Sequence, residues 1–257
     1  MTWVEFEIKN RVGYITLNRP EKRNALSFEL VTELRQAFVE AENNNGVKVI
    51  VLKARGDVFC AGADLDHLQQ LQGYSLQQNL DDSRHLKELF KCIYLLKKVV
   101  IAQVQGHALA GGCGLATVCD FVFAVPEAKF GYTEVKIGFI PAIVMVFLIR
   151  KIGEQKAKHL LLSGELVQGE TAFQFGMVNK LVEKEKLETL TTEFAQRLIN
   201  HNSGQSMELT KRMISEVQSM SLEEALEYAS QMNAQARATD DCKKGIGAFL
   251  SKQELKW

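Results

Sequence analysis

Proline is scarce in this chain: Pro20, Pro126 and Pro141 are all it has in 257 residues. With no Pro-, Gly- or Ser-rich run there is no candidate linker, so the chain reads as one large domain or one domain with an appendage. Charge imbalance is also absent. Lysine plus arginine and aspartate plus glutamate each total 31, which excludes the basic footprint of a general nucleic-acid binder. No apolar run is long enough to span a bilayer. The opening MTWVEFEIKN has neither the basic start and apolar stretch of a secretory leader nor the composition of a transit segment, so a cytoplasmic location is expected. The five cysteines (Cys60, Cys92, Cys113, Cys119 and Cys242) are odd in number and lack zinc-type pairing. They are expected to be reduced and mostly buried. His67, His159 and His201 lack metal-ligand spacing, and no metal is expected. No Gly-Lys-Ser/Thr triplet occurs, which removes a P-loop.

What is present is an alternation of strand-like and helix-like segments. Trp3–Ile8 and Val12–Leu17 read as a hairpin, and Val47–Lys53, Val99–Val104 and Phe121–Val125 as buried strands. Ser27 is an N-cap for a helix to about Asn44, with Leu30, Leu34, Phe38 and Ala41 on one face and Gly46 at its end. The glutamine-rich stretch 69–80 is the expected mobile segment, followed by a helix through Lys98. From Ala142 onward the chain reads as helical, with a short strand at Val178–Val182 and a capping box at Ser221-Leu-Glu-Glu224. The expectation is an α/β core over residues 1–202 and an α-helical region over 203–257.

Two small-residue turns, around Ala63 and Gly111, each follow a buried strand. A glycine-rich turn opening a helix points backbone N–H groups outward, where they can hold a negative oxygen. One carboxylate, Glu134, sits downstream between the small residues around Gly131 and the Ile137–Ile140 run. The pattern is thus a pair of backbone donors plus one acid/base. A dinucleotide fingerprint starting at Gly112 fails on two counts. Thr117 occupies its third glycine position, and the next strand begins near Phe121, too soon for a βαβ crossover. Cys60 and Cys113 flank the turns and read as small packing residues. His107 reads as a residue that orders the second turn.

The runs Phe59-Cys-Ala-Gly-Ala-Asp-Leu65, Gly106-His-Ala-Leu-Ala-Gly-Gly-Cys-Gly-Leu-Ala116, Cys119-Asp120, Phe130-Gly-Tyr-Thr-Glu134 and Gly138-Phe-Ile-Pro141 resemble the enoyl-CoA hydratase/isomerase (crotonase) superfamily over essentially the whole chain. The resemblance implies a crotonase-like spiral of ββα repeats carrying the acyl-CoA site, with a C-terminal helical region that builds homotrimers or homohexamers. It implies that the N–H groups of Ala63 and Gly111 form an oxyanion hole for the thioester oxygen. A donor of that kind is worth about 3–4 kcal/mol of barrier. It makes Glu134 the acid/base, and places Lys22, Arg23 and Ala25 by the phosphates and pantetheine. Ala61, Asp64 and Leu65 line the next section, and Lys252 reaches the nucleotide end from a neighbouring subunit. Coenzyme A is part of the substrate, and no separate cofactor is implied.

Two departures bear on the reaction. Typical two-glutamate hydratases of the family carry their first glutamate where this chain has Gly114, which taken alone favours a Δ3,Δ2-enoyl-CoA isomerase, since that reaction needs one base. After Pro141 this chain has Ala142-Ile-Val-Met-Val-Phe-Leu-Ile149 in place of a glycine-rich run. The run Gly131-Tyr-Thr-Glu-Val-Lys-Ile-Gly-Phe-Ile-Pro-Ala-Ile143, with Ile149-Arg-Lys-Ile-Gly153 behind it, is similar to a bacterial methylglutaconyl-CoA hydratase-like branch, which shifts the expectation to hydration of 3-methylglutaconyl-CoA or a similar branched acyl-CoA in leucine breakdown. A distal carboxylate would need a cation or donor, and Arg84, His85 and Lys87 lie on the segment expected to supply it. A non-catalytic acyl-CoA- or RNA-binding assembly subunit is the alternative from another class, and the neutral net charge weighs against RNA.

Overall fold

The computed structural model describes residues 2–257. β1 (Val4–Lys9) and β2 (Val12–Leu17) pair antiparallel with Phe6 opposite Ile15. The reversal between them is made by Asn10 and Arg11, both at positive φ (50° and 64°), as a tight two-residue hairpin requires. α1 (Phe28–Asn43) begins where Ser27 accepts from the Leu30 N–H, and it buries Leu30, Leu34, Phe38 and Ala41 as its periodicity predicts. Its C-cap is Asn44, not Gly46; the Asn44 side chain instead accepts from the Gly46 N–H.

A two-sheet spiral follows. β3 (Val49–Ala54) and β4 (Val58–Cys60) lead to α2 (Leu65–Leu71) and α3 (Leu76–Leu95). β5 (Val99–Val104) and β6 (His107–Leu109) lead to α4 (Gly111–Val118). β7 (Phe121–Ala124) and β8 (Lys129–Gly131) lead to a 3-10 turn at Glu134–Ile137, then α5 (Ala142–Ile152) and α6 (Glu154–Ser163). Each repeat gives its first strand to a six-stranded sheet, order β1-β2-β3-β5-β7-β10, and its second to a four-stranded sheet, order β4-β6-β8-β9. β9 (Val167–Gln168), α7 (Gly169–Phe175) and β10 (Lys180–Leu181) finish the spiral, and α8 (Lys184–His201) packs on β3 and β5. α9 (Gly204–Val217), α10 (Leu222–Ala238) and α11 (Asp240–Leu250) follow. Among their residues only Met232 is buried, while Ile214, Leu222, Leu226, Ile246, Phe249 and Leu250 are exposed.

The inner strands are fully buried, so they read as continuous β-branched runs rather than alternating ones. The short strands of the second sheet carry too few residues for a pattern, which is why β4, β6, β8 and β9 were not expected. The stretch 69–80, expected to be mobile, is instead the end of α2, a turn and the start of α3. Ser75 and Gln78 close a capping box there. No helix of the described residues is long and apolar enough to cross a membrane, and these residues contain no cluster of potential metal ligands.

Five helices end on a lysine brought from elsewhere in the chain. Lys98 Nζ donates to Ala41 and Asn44 carbonyls at the end of α1, and Lys211 Nζ to the Ile93 carbonyl at the end of α3. Lys151 donates to Thr117 and Cys119 carbonyls after α4, Lys156 to Gln174 and Phe175 after α7, and Lys48 to Ile199 and Asn202 after α8. A cation at the negative end of the helix dipole also satisfies carbonyls that lack an intrahelical donor.

Candidate active site

The two small-residue turns meet. Gly62 has φ +94°, and a Cβ placed on it would sit 2.9 Å from the Leu109 carbonyl oxygen and 3.5 Å from the Gly111 nitrogen. Only glycine allows that approach. On its other side this turn is pinned to Leu26, whose N–H donates to the Gly62 carbonyl while its own carbonyl accepts from the Asp64 N–H. In such a parallel bridge those flanking bonds face Leu26, so the N–H of Ala63 between them points the opposite way. Gly111 is the first residue of α4, and its N–H has no intrahelical acceptor. Among the described residues neither N–H meets a protein acceptor.

Ala110, just before Gly111, has φ 49° and ψ −124°, a region that costs a residue with a side chain roughly 1–3 kcal/mol. It is held there by its N–H to the Gly131 carbonyl (2.7 Å) and by its carbonyl to the Gly114 N–H (3.0 Å). The strained residue fixes the direction of the peptide that carries the Gly111 N–H.

Glu134 follows β8 on the 3-10 turn. Its Oε2 is buried without a hydrogen-bond partner among the described residues. Burial raises its pKa above the ordinary carboxylate value, with its own backbone N–H pulling weakly the other way. Ala63, Gly111 and Glu134 line one cavity of about 350 Å³. Its remaining walls are mostly aliphatic and aromatic, including Leu68, Leu86, Ile137, Phe139, Ile140 and Val144. Phe130, four residues before Glu134, lies in the core and does not line this cavity. A pair of unpaired backbone donors and one apolar-set carboxyl can stabilise an enolate-like oxygen and move a proton at the adjacent carbon.

The residues expected around coenzyme A are placed as follows. Ala61 and Leu65 line the same cavity. Ala25 is buried, and its carbonyl accepts from Arg19 Nη1. Lys22 is exposed and pairs with Asp66 at 2.9 Å, and Arg23 is exposed at a left-handed φ of 53°. Lys252 is exposed just after α11 and does not line the cavity. Asp64 differs from the expectation. Its side chain is buried, capping α2 through the Asp66 N–H and pairing with Arg19, and it does not line the cavity that Ala61 and Leu65 line. Burial works to raise its pKa, but the Arg19 guanidinium and the Asp66 N–H outweigh it and hold the carboxyl below its ordinary value.

Of the three groups expected to face a distal carboxylate, only His85 lines the cavity. Its ring stacks on Phe28 at 4.0 Å, with Nε2 3.1 Å from both Thr32 Oγ1 and the Phe28 carbonyl. Arg84 pairs with Asp81, Lys87 pairs with Glu88, and neither lines the cavity. His107 orders its turn by accepting from the Lys129 N–H. The Cys60 and Cys113 thiols are pushed up to about 12 by burial, which fits packing and not nucleophilic chemistry.

The two sequence departures prove to be one packing unit. A Cβ on Gly114 would lie 2.2 Å from Val144 Cγ1 and 3.0 Å from Phe90 Cε1. Val144, on the apolar run after Pro141, therefore fills the room a side chain at position 114 would need. Sequence reasoning missed that contact, the strain at Ala110, and a further pair on the cavity wall: His67 Nε2 lies 2.8 Å from Asp82 Oδ1. Metal-ligand spacing carries no trace of this pair; the signal in the sequence is a polar residue amid Leu65, Leu68 and Leu71.

The sequence model of the family described as enoyl-CoA hydratase/isomerase matches residues 7–257. A Thermus thermophilus protein whose name carries a provisional enoyl-CoA hydratase assignment is 41% identical over 245 residues, covering 95% of this chain and 96% of that one. The crotonyl-CoA hydratase of Syntrophomonas wolfei is 32% identical over 254 residues, covering 98% and 96%. Among solved structures, an enoyl-CoA hydratase from Shewanella pealeana superposes with a TM-score of 0.94 at 27% identity, covering 100% of this chain and 96% of that one.

Proposed function

Because the chain belongs to the enoyl-CoA hydratase/isomerase family, we propose that it adds water across the α,β double bond of an acyl-CoA thioester. The observation that carries this reading is one cavity bordered by two unpaired backbone N–H groups and by a carboxyl with a buried, unpaired oxygen. In the proposed reaction the thioester oxygen sits between the N–H groups of Ala63 and Gly111. Water bonds to Cβ through its oxygen, negative charge develops on the thioester oxygen, and Glu134 delivers a proton to Cα and takes up the proton that the water gives up, so the carboxyl ends as it began. Burial raises its pKa above the ordinary carboxylate value, the direction that favours a proton donor. The donors cost nothing to reorganise, since Ala110 and the Leu26 bridge already hold them.

Lys22 and Arg23, beside Ala25, are the proposed contacts for the phosphates and pantetheine. Asp64 serves through Arg19 and the start of α2 rather than by touching the ligand. The exposed apolar residues of α9–α11 support an assembly of copies through residues 203–257, from which a neighbour's Lys252 would reach the nucleotide. The finer substrate reading is 3-methylglutaconyl-CoA or a similar branched acyl-CoA, as in leucine breakdown. The aliphatic walls suit the branch.

The test is turnover of matched 2-enoyl and 3-enoyl thioesters, 3-methylglutaconyl-CoA included. Hydration of the 2-enoyl series with the higher kcat/KM supports the proposal. Glu134→Gln should cut turnover by roughly 10²–10⁴-fold while leaving CoA-ester binding intact. Near-normal turnover in that variant refutes the role of Glu134. One observation favours the isomerase as second reading: with Val144 against Gly114, the described residues put no second carboxylate at that wall. Preference for the 3-enoyl series would establish it.

A further inference from the structure

Adding water to Cβ needs more than a proton donor. The water must be held with a lone pair turned to Cβ, and one of its protons must reach Glu134, the group that also serves Cα. One carboxyl fixes one of the water's two hydrogens. The other needs an acceptor of its own, beside Glu134. Position 114 cannot provide it, because Val144 Cγ1 lies 2.2 Å from where a Cβ would stand.

Most other polar side chains on the cavity wall are already engaged. Ser27 Oγ accepts from the Leu30 N–H and caps α1. His67 and Asp82 are bonded to each other, and His85 Nε2 lies 3.1 Å from both Thr32 Oγ1 and the Phe28 carbonyl. Two hydroxyls remain, those of Ser83 on α3 and Thr133. Neither has a hydrogen-bond partner among the described residues. Thr133 is the one joined directly to Glu134, with their Cα atoms about 3.8 Å apart, and both residues line the cavity.

Thr133 also stands where a hydroxyl ordinarily has a structural task. It is the N-cap of the 3-10 turn Glu134–Ile137, a place at which a threonine side chain commonly accepts a backbone N–H. Here the side chain makes no such bond. Backbone groups close the turn instead. The Thr133 carbonyl accepts from the Lys136 N–H and the Glu134 carbonyl from the Phe139 N–H, each at 3.0 Å. The hydroxyl is left over, next to a carboxyl whose Oε2 is buried without a partner.

We propose that the Thr133 hydroxyl holds the attacking water against Glu134, in the role that a second carboxylate would otherwise fill. This deepens the hydratase reading above and rests on it. The water turns one hydrogen to Glu134 and the other to a lone pair of Thr133 Oγ1. Its oxygen bonds to Cβ as the π pair of the double bond shifts toward Cα and the thioester oxygen. The hydrogen facing Glu134 passes to that carboxyl, and the carboxyl's own proton forms the new Cα–H bond. The hydrogen on Thr133 stays with the oxygen as the product hydroxyl. Thr133 accepts a hydrogen bond and neither gains nor loses a proton.

The experiment compares Thr133→Val and Thr133→Ser with the parent, as full chains, in two reactions. Hydration of crotonyl-CoA needs the water. Exchange of the Cα hydrogens of butyryl-CoA with deuterium from heavy water needs only the two N–H groups and Glu134. Thr133→Val keeps the shape and loses the hydroxyl. It should lower kcat for hydration by roughly 10–10²-fold, the scale of a misplaced reactant, and leave the exchange rate within about threefold. Its melting temperature should match the parent's, since the turn is closed by backbone. Thr133→Ser should bring hydration back to within about threefold of the parent. Undiminished hydration in Thr133→Val would overturn the proposal. So would an equal fall in both reactions, which would mean that Thr133 only sets Glu134 in place. Loss of hydration in Ser83→Ala beside full hydration in Thr133→Val would give the water to Ser83 instead. A parent that exchanges butyryl-CoA but hydrates neither crotonyl-CoA nor the matched 2-enoyl thioesters would overturn the proposal together with the hydratase reading, leaving the base and its two donors standing.

Discussion

Gly111 and Gly114 lie three residues apart on α4, on nearly the same face, and serve opposite ends. A methyl group added at Gly111 would meet only Leu26 Cδ1, at 3.2 Å, the tip of a side chain that can move. Its surroundings are open because the cavity is there. A methyl group added at Gly114 would meet Val144 at 2.2 Å and 2.9 Å and Phe90 at 3.0 Å. Its surroundings are closed because α5 packs there. One glycine leaves space for a ligand, and the other allows two helices to touch. Sequence shows both as the same letter.

The largest effect expected from this contrast is on folding. Gly114→Ala should destabilise by about 1–3 kcal/mol through overpacking. At roughly 2–4 °C per kcal/mol for a chain of this size, thermal unfolding should show it clearly. Adding Val144→Ala should restore most of the loss. If Gly114→Ala melts with the parent, Val144 yields freely and the contrast with Gly111 collapses. Gly111→Ala should do less. The N–H survives and only Leu26 must give, so stability should stay within about 1 kcal/mol while KM for short enoyl thioesters rises. A larger drop in stability than at Gly114 would reverse the comparison.

The smallest effect concerns the carboxyl beside Gly111. The folded-state pKa of Glu134 is raised, so its stabilising contribution is complete below the unfolded value and is lost as pH rises through the folded value. Glu134→Gln removes that titration. The variant should therefore melt slightly above the parent at pH 8 and level with it at pH 4. A variant less stable at both values would mean that the carboxylate is held by favourable contacts after all.

The parts of the fold that were legible were those where one element carries its own pattern. β5 falls on its expected residues, helix begins at Ala142 as expected, and α1 and α10 begin at their N-caps, because each is long and apolar on a definite face or fully buried. The second sheet was not legible, since strands of two or three residues have no period to read. At the cavity, Ala63, Gly111 and Glu134 stand out by their small size or lone charge within apolar surroundings, and they line one cavity. Asp64 differs from Ala63 and Leu65 beside it, which line the cavity, because its own side chain is drawn to Arg19. Val144 and His67 were missed because each depends on a residue more than a dozen positions away, Gly114 and Asp82, whose proximity only the fold creates.

The lysines that close five helices also govern how the chain can assemble. Lys98 closes a helix that ended more than fifty residues earlier, and Lys48 waits for a helix about one hundred and fifty residues later. None of these ends is complete until a distant segment has docked, so the helices gain their last hydrogen bonds only as the whole spiral forms. Cutting the chain near Asn202 would leave α3 without Lys211 while Lys48 kept its helix end; cutting before α8 would strand Lys48. Fragments should therefore fray at identifiable ends, and amide exchange at those last turns should slow only in the intact chain, tying local helix order to global cooperativity.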